Sequence, residues 1–381
     1  MRAKRVPGAS YSQTGLGFAV SSPAIHTFSR LTYPQEVHSR KKELQNGDRT
    51  GELALLSRIR SRAARLSANE LRLGIGDDCA LIRHRTREEL AVTTDLSIAG
   101  RHFRLDWHSP EAVGHRVLAR GLSDLAAMGA RPVAAFLSLG LPRELIAATS
   151  RRRAWVEMFF DGFLALAESH KVPLAGGDLA ESPIAVADIS LVGAVPQGRA
   201  LLRSGARLGD LIYVTGVLGG AAAGLARLAE LAGSAKSSSK PPRIPKKLEP
   251  LLAPHLYPQP RIAQGRWLVR SKLASGAIDL SDGLSTDLAH LCEESGVSAE
   301  VDAAALPLHP GATLAQALNG GEDYELLFTA PTSARLPRSI AGVPVSKIGR
   351  IVRRRRGQPQ LALMNPDGAH PLEPRGWEHF S

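Results

Sequence analysis

Gly74-Ile75-Gly76-Asp77-Asp78-Cys79-Ala80-Leu81-Ile82 sets two glycines ahead of two adjacent carboxylates, with an apolar run behind them. Glycine lets a backbone take positive φ or press close to a ligand. Side by side, Asp77 and Asp78 repel each other unless a cation or a turn relieves them. Two readings therefore stay open at this point, a metal-binding corner and a tight turn before a strand, since Gly and Asp are ordinary turn residues. The same theme returns down the chain, each time as an Asp at the edge of an apolar strand or helix.

Working outward, Leu53, Leu55, Leu56, Ile59, Ala63 and Leu66 recur at helical spacing with arginines on the opposite face, so order begins near residue 51. Behind the corner, residues 80–82 and 90–92 form short apolar runs, and the second ends in Thr93-Thr94-Asp95. A strand that ends in two hydroxyls and a carboxylate offers the oxygen ligands that Mg²⁺ takes. Residues 110–128 read as a helix, with Ser109 as N-cap, Pro110 at its first position and Val113, Val117, Leu118, Leu122 and Leu125 on its apolar face. Asp124 falls in the last turn, where the helix dipole disfavours an anion. A compensating cation is expected there, although solvent could also serve.

Strand 133–139, helix 144–170, strand 172–175 running into Gly176-Gly177-Asp178, and strand 184–195 follow. After a connection over 199–210 a second series begins: strand 211–214, a Gly- and Ala-rich helix from Val217, helix 262–273, Ala277-Ile278-Asp279-Leu280-Ser281-Asp282-Gly283, and a helix through Cys292. Gly320-Gly321-Glu322-Asp323 introduces strand 324–328. Such alternation argues for an α/β or α+β fold. The expected division is a basic extension at 1–48, one domain at 49–198, and a second at 199–381 carrying a flexible Ser-, Lys- and Pro-rich insertion at 234–250.

Composition bounds what the chain can be. At 381 residues there is length for two cores, and 44% hydrophobic with 22% charged residues is ordinary for a soluble globular protein. No apolar run reaches the roughly 18 residues needed to span a bilayer. Cys79 and Cys292 lie far apart without metal-ligand spacing, which is cytosolic usage, and the expected localisation is cytoplasmic. The net charge of +12 is concentrated in the first fifty residues, in 236–247 and in Arg353 to Arg356. With only 5% aromatic residues to stack on bases, nucleic-acid binding is not the expected main role. The acid-poor start resembles a transit peptide in composition, and a disordered extension or an early start codon explains it equally well.

Asp78, Asp95, Asp124, Asp178, Asp279 and Asp282 each follow a strand, lie in a Gly-rich turn or end a helix. Taken singly, such an Asp is ordinarily a cap or turn residue. Converging, they would push one another's pKa values up without counter-ions, so the set implies divalent metals. No P-loop, dinucleotide fingerprint, His-Glu-x-x-His or Gly-x-Ser-x-Gly is present. A carboxylate-rich site without a P-loop Lys would bind phosphates through Mg²⁺, which suits phosphoryl transfer.

As an ordered set, these segments resemble the thiamine-monophosphate kinase family of the aminoimidazole ribonucleotide synthetase superfamily. The resemblance covers residues 50–381 and rests on Gly-Ile-Gly-Asp-Asp-Cys-Ala-Leu (74–81), Thr-Thr-Asp (93–95), Gly-Arg-His-Phe (100–103) and Leu-Ser-Asp-Leu-Ala-Ala-Met-Gly-Ala (122–130). It continues through Gly-Gly-Asp (176–178), Gly-Arg-Ala-Leu-Leu-Arg-Ser-Gly (198–205), Ile-Asp-Leu-Ser-Asp-Gly-Leu (278–284), Gly-Gly-Glu-Asp-Tyr-Glu-Leu (320–326) and the terminal Gly-Trp-Glu-His-Phe (376–380). It implies a two-domain aminoimidazole ribonucleotide synthetase-like fold, a homodimer paired through the N-terminal domain, and ATP-dependent phosphorylation of thiamine monophosphate with several Mg²⁺ ions. Carried over by residue, Asp78, Thr93, Thr94, Asp95, Asp124, Asp178, Asp279 and Asp282 resemble the metal shell. Gly177, Arg203 and Ser281 resemble the ATP contacts, and His102, Glu322 and Trp377 the substrate contacts. Leu179 stands where the family usually has Thr. The rivals are another ATP-dependent synthetase of the superfamily, a nucleic-acid-binding protein using the basic extension, and a silent Mg²⁺-nucleotide scaffold.

Overall fold

A computed structural model describes residues 52–66, 69–75, 79–147, 153–234 and 241–377. The basic stretch 1–48, the Gly76-Asp77-Asp78 corner and the terminal Glu378-His379-Phe380 lie outside the described residues.

The first half runs α1 (Glu52–Ala63), β1 (Leu71–Leu73), β2 (Leu81–Ile82), β3 (Glu88–Ile98), α2 (Pro110–Ala127), β4 (Arg131–Leu141), α3 (Arg143–Ile146), α4 (Trp155–His170), β5 (Leu174–Glu181) and β6 (Val186–Pro196). Its main sheet has the order β3-β6-β4-β5, antiparallel except for the parallel β4/β5 pair. The helix expected over 144–170 is two helices: Ala147 turns extended and ends α3, and α4 starts only after Ala154. At the start of α2 the sequence signals work as expected, since the Ser109 hydroxyl accepts from the Ala112 N–H at 3.2 Å and Pro110 takes the first turn.

The second half runs β7 (Leu211–Thr215), α5 (Gly220–Ser234), α6 (Glu249–Leu256), α7 (Ile262–Ser271), β8 (Gly276–Asp279), α8 (Leu284–Ser295), β9 (Ser298–Asp302), α9 (Leu314–Asn319), β10 (Leu326–Ala330), β11 (Ser339–Ile340), β12 (Val343–Val352), β13 (Leu361–Asn365) and β14 (Gly368–Pro371). Its sheet has the order β14-β13-β9-β12-β7-β10-β8, with β11 on β12. Of the Ser-Lys-Pro stretch 234–250, residues 235–240 lie outside the described residues. Lys246–Leu248 makes a 3-10 turn that leads into α6, and Leu248 is buried beside Leu228 and Leu252.

One core crosses both halves. Val117, Leu118, Leu122 and Leu125 of α2 pack with Phe159 and Phe163 of α4 and with Ile189 and Leu191 of β6, and the same cluster continues into Leu268, Val269, Ala277 and Phe328. Each fully buried side chain of this size contributes about 1.5–3 kcal/mol. Because α2 is covered on nearly every side, a polar residue on it needs a partner inside the protein.

Along β3, side chains alternate between two faces. Thr93, Asp95 and Ser97 turn inward, whereas Leu90, Val92 and Leu96 turn outward and are 49%, 69% and 48% exposed.

Candidate active site

Asp95, His102, Asp124, Asp279, Ser281, Asp282, Glu322 and Trp377 all line one cavity of about 730 Å³. They come from the end of β3, the loop behind it, the last turn of α2, the β8–α8 corner, the turn before β10 and the chain's end. Gly376 is required where it is: a Cβ would overlap the Asp282 carbonyl, and the Gly376 N–H donates to Thr286 Oγ1 at 2.9 Å. Trp377 donates its N–H to the Asp282 carbonyl at 3.1 Å and keeps 52% of its surface exposed at the mouth.

Asp124 and Asp279 form the acidic end. Burial, then the neighbouring Asp279 charge, pushes Asp124 up to about 7. Burial also raises Asp279, which accepts from Ser123 Oγ at 2.6 Å, and the charge of Arg203 pulls both carboxyls back toward ionisation. Thr93 Oγ1 donates to Asp124 Oδ2 in a short bond. Asp287, in the first turn of α8, is pushed to about 8 by burial and then by Asp279 and Asp282. Negative charge therefore outweighs positive charge at this end.

Asp95 is held differently. Arg120 Nε and Nη2 reach its two oxygens at 2.8 and 2.6 Å. Glu322 is also paired: Arg116 Nη2 donates to Oε1 at 2.6 Å. Burial would raise this carboxyl, but the Arg116 guanidinium, with Arg120 adding to it, outweighs burial and holds Glu322 at about 2.

Five of the described sequence-derived positions do not line this cavity, and one of them, Thr93, reaches it only through its bond to Asp124. Thr94 points to the outer face of the sheet, where its hydroxyl donates to Asp188 Oδ1 at 3.0 Å. Strand alternation separates it from Thr93 and Asp95. Gly177 and Asp178 line a second cavity of about 460 Å³ with Ile75, Cys79, Phe136 and Phe160. Gly177 has φ +144° and a Cβ there would overlap the Leu137 carbonyl, so only glycine fits. Arg203 lies in an exposed 3-10 turn, Arg203–Gly205, within electrostatic reach of Asp124 and Asp279. Asp78 lies outside the described residues.

Arg116, Arg120, His108 and His255 were missed by sequence reading. A signal for the arginines existed: 116, 120 and 124 are four apart, so they form one polar stripe on a helix that is otherwise buried.

Comparison with known proteins adds the family. Residues 76–200 match the model described as AIR synthase related protein, N-terminal domain, and residues 207–361 match AIR synthase related protein, C-terminal domain. The thiamine-monophosphate kinase of Escherichia coli K12 is 40% identical over 343 residues, covering 87% of this chain and 98% of that protein. The chain belongs to the thiamine-monophosphate kinase family. Of the family's solved structures, that from Stenotrophomonas maltophilia K279a has 38% identity and a TM-score of 0.68, over 82% of this chain and 96% of that one. AaThiL complexed with AMPPCP and TMP has 31% identity and a TM-score of 0.65, over 89% and 100% of the respective chains. The two-domain fold expected from the family resemblance is the fold found.

Whether Mg²⁺ suits these residues can be tested on the donor set. Asp124, Asp279, Thr93 and Ser123 supply only oxygen, and the raised carboxyls lack enough positive charge nearby. Among the described residues no three His, Cys, Asp or Glu side chains close around one point. Mg²⁺ ordinarily takes one or two carboxylates and completes its shell with water and substrate phosphates, so an open pair of this kind fits.

Proposed function

We propose that this chain phosphorylates thiamine monophosphate to thiamine diphosphate with ATP, by direct in-line transfer of the γ-phosphate at the Asp124–Asp279 end of the large cavity. The observation that carries this is 40% identity to the E. coli kinase over 87% of the chain, with eight of the expected site residues around a single cavity. The AaThiL structure complexed with AMPPCP and TMP supports ATP and thiamine monophosphate as the pair of substrates.

The acceptor is a phosphate monoester with a second pKa near 6, so its oxygen is already anionic at neutral pH and no general base is needed. The barrier is repulsion: two unit charges about 4 Å apart interact by roughly 4 kcal/mol at an effective dielectric of 20. Mg²⁺, when bound, supplies charge neutralisation and aligns the phosphates. Asp95, Asp124, Asp279 and Asp282, with Thr93 and Asp78, are the residues that would hold it. Arg203 adds positive charge on the ATP side, Ser281 lies between the two acidic corners, and Gly177 with Asp178 would serve the nucleotide from the second cavity. In the same cavity, His102, the anionic Glu322 and the face of Trp377 suit the cationic thiazolium of the acceptor. A coupled assay of thiamine monophosphate with Mg-ATP should yield ADP and a diphosphate product identified by mass. ADP release with no such product would overturn the assignment.

The working unit is a homodimer that buries the outer face of the first sheet. Leu90, Val92 and Leu96 make an apolar strip there that the described residues leave 48–69% exposed, which is unusual for a surface facing only water. Val92→Arg should shift the protein from dimer to monomer in sedimentation, and an unchanged mass would count against this pairing. We place the reaction in the cytoplasm on cysteine usage, Cys79 and Cys292 both being free.

A further inference from the structure

The turn that presents Glu322 is strained. Glu322 has φ +68° and Tyr324 φ +50°, a left-handed backbone in two non-glycine residues, which costs about 1–3 kcal/mol each and persists only where the surroundings enforce it. Backbone bonds enforce part of it: Glu322 N–H donates to the Ser281 carbonyl at 2.8 Å and Tyr324 N–H to the Leu280 carbonyl at 2.9 Å. Between the two, the Asp323 carboxylate accepts from the Gly219 and Ala221 N–H groups at 2.6 and 3.0 Å and caps the start of α5.

The side chain of Glu322 is fixed from elsewhere. Arg116, buried on α2, gives Nη2 to Glu322 Oε1 at 2.6 Å and to the His102 carbonyl at 3.2 Å. Its Nη1 donates to the His255 carbonyl in a short bond and faces His255 Nδ1 at 3.2 Å. Arginine only donates, so Nδ1 of His255 accepts from Arg116, and the same nitrogen lies 3.5 Å from Glu322 Oε2. His255 Nε2 meets His108 Nε2 at 3.0 Å, and His108 Nδ1 lies 3.1 Å from both the N–H and the carbonyl of Arg104. This row of contacts ends where Arg104 lies 4.4 Å above the Trp107 ring, and Arg104, Trp107, His108, His255 and Glu322 all line the same cavity.

We propose that Arg116, backed by the His255–His108 pair, is a positioning residue that holds the Glu322 carboxylate in place for the organic end of thiamine monophosphate and ties it to the Arg104–Trp107 wall. This rests on Glu322 being a substrate contact, and the experiment separates the two ideas. In steady-state kinetics, Arg116→Met should raise KM for thiamine monophosphate about tenfold while KM for ATP moves less than about twofold. Arg116→Lys should recover part of the loss, since an ammonium replaces the charge but not the forked geometry. Glu322→Gln should show the same selective KM increase, and the double variant should be no worse than either single one. Additive losses, or equal rises in both KM values, would sink the positioning role. A Glu322→Gln enzyme with normal KM for thiamine monophosphate would instead remove Glu322 from the substrate site. If Arg116→Met does not fold, His255→Gln decides: a selective rise in the same KM, at a retained melting temperature, supports the role, and unchanged kinetics overturns it.

Discussion

Asp124 and Glu322 are both partly buried at the edge of one cavity, and the partial loss of water pushes both carboxyls toward the neutral form. They end far apart, Asp124 at about 7 and Glu322 at about 2. The difference lies in what each meets. Asp124 faces Asp279 and receives one hydroxyl, whereas Glu322 receives a buried guanidinium 2.6 Å away. The Asp124–Asp279 pair meets more negative than positive charge and is suited to receive a cation with the substrates. Glu322 has its counter-charge built in and stands ready as an anion. A kinase that must hold a polyphosphate and a thiazolium in one cavity needs both conditions at once.

The contrast is broken most severely at its acidic end. Asp124→Asn should cut turnover by about 10²–10³-fold, the order expected when an interaction made in the transition state is lost. The melting temperature of the metal-free protein should not fall, because one of two repelling carboxylates is gone. Near-normal turnover would remove Asp124 from the metal site. Asp95→Asn tests a pre-paired carboxylate of the acidic end. It should also lose turnover, but it takes the forked carboxylate partner from the partly buried Arg120 and should cost about 1–3 kcal/mol of stability. Thermal melts decide this: an unchanged melting temperature would show that the Arg120 pair contributes nothing to the fold. The smallest effect is expected from Trp377→Ala. KM for thiamine monophosphate should rise by about three- to tenfold, and stability should change by less than about 0.5 kcal/mol for so exposed a side chain. Equal effects on thiamine monophosphate and ATP would place the indole outside the substrate site.

The sequence exposed whatever depends on local pattern. The capped start of α2, the outline of β3 and the Gly-rich corners at Gly177 and Ser281 follow from spacing and turn chemistry within a few residues. Thr94 was within reach of the same logic, because a period of two already separates it from Thr93 and Asp95. The ion pairs were not legible. Arg116 meets Glu322 across 206 positions and His255 across 139, while His108 meets His255 across 147. Their polar character matched the exposed face of an ordinary helix, and only the packing of α2 against α4, β6 and α7 shows that no exposed face exists there. The separate cavity at Gly177 and Asp178 was hidden for the same reason, since its walls come from α1, β4, α4 and β5.

β3 is hydrogen-bonded to β6 through eleven consecutive register pairs, Glu88↔Pro196 to Ile98↔Val186. Threading therefore matters more here than chemistry. Insertion of a single residue within β3 would exchange its two sides beyond that point, turning Asp95 out to the solvent and bringing an aliphatic residue to the phosphate end. In one step it would disturb both the outer apolar strip and the residues that line the cavity. Natural length variation is thus expected in the turn at 83–87 and not between Glu88 and Ile98.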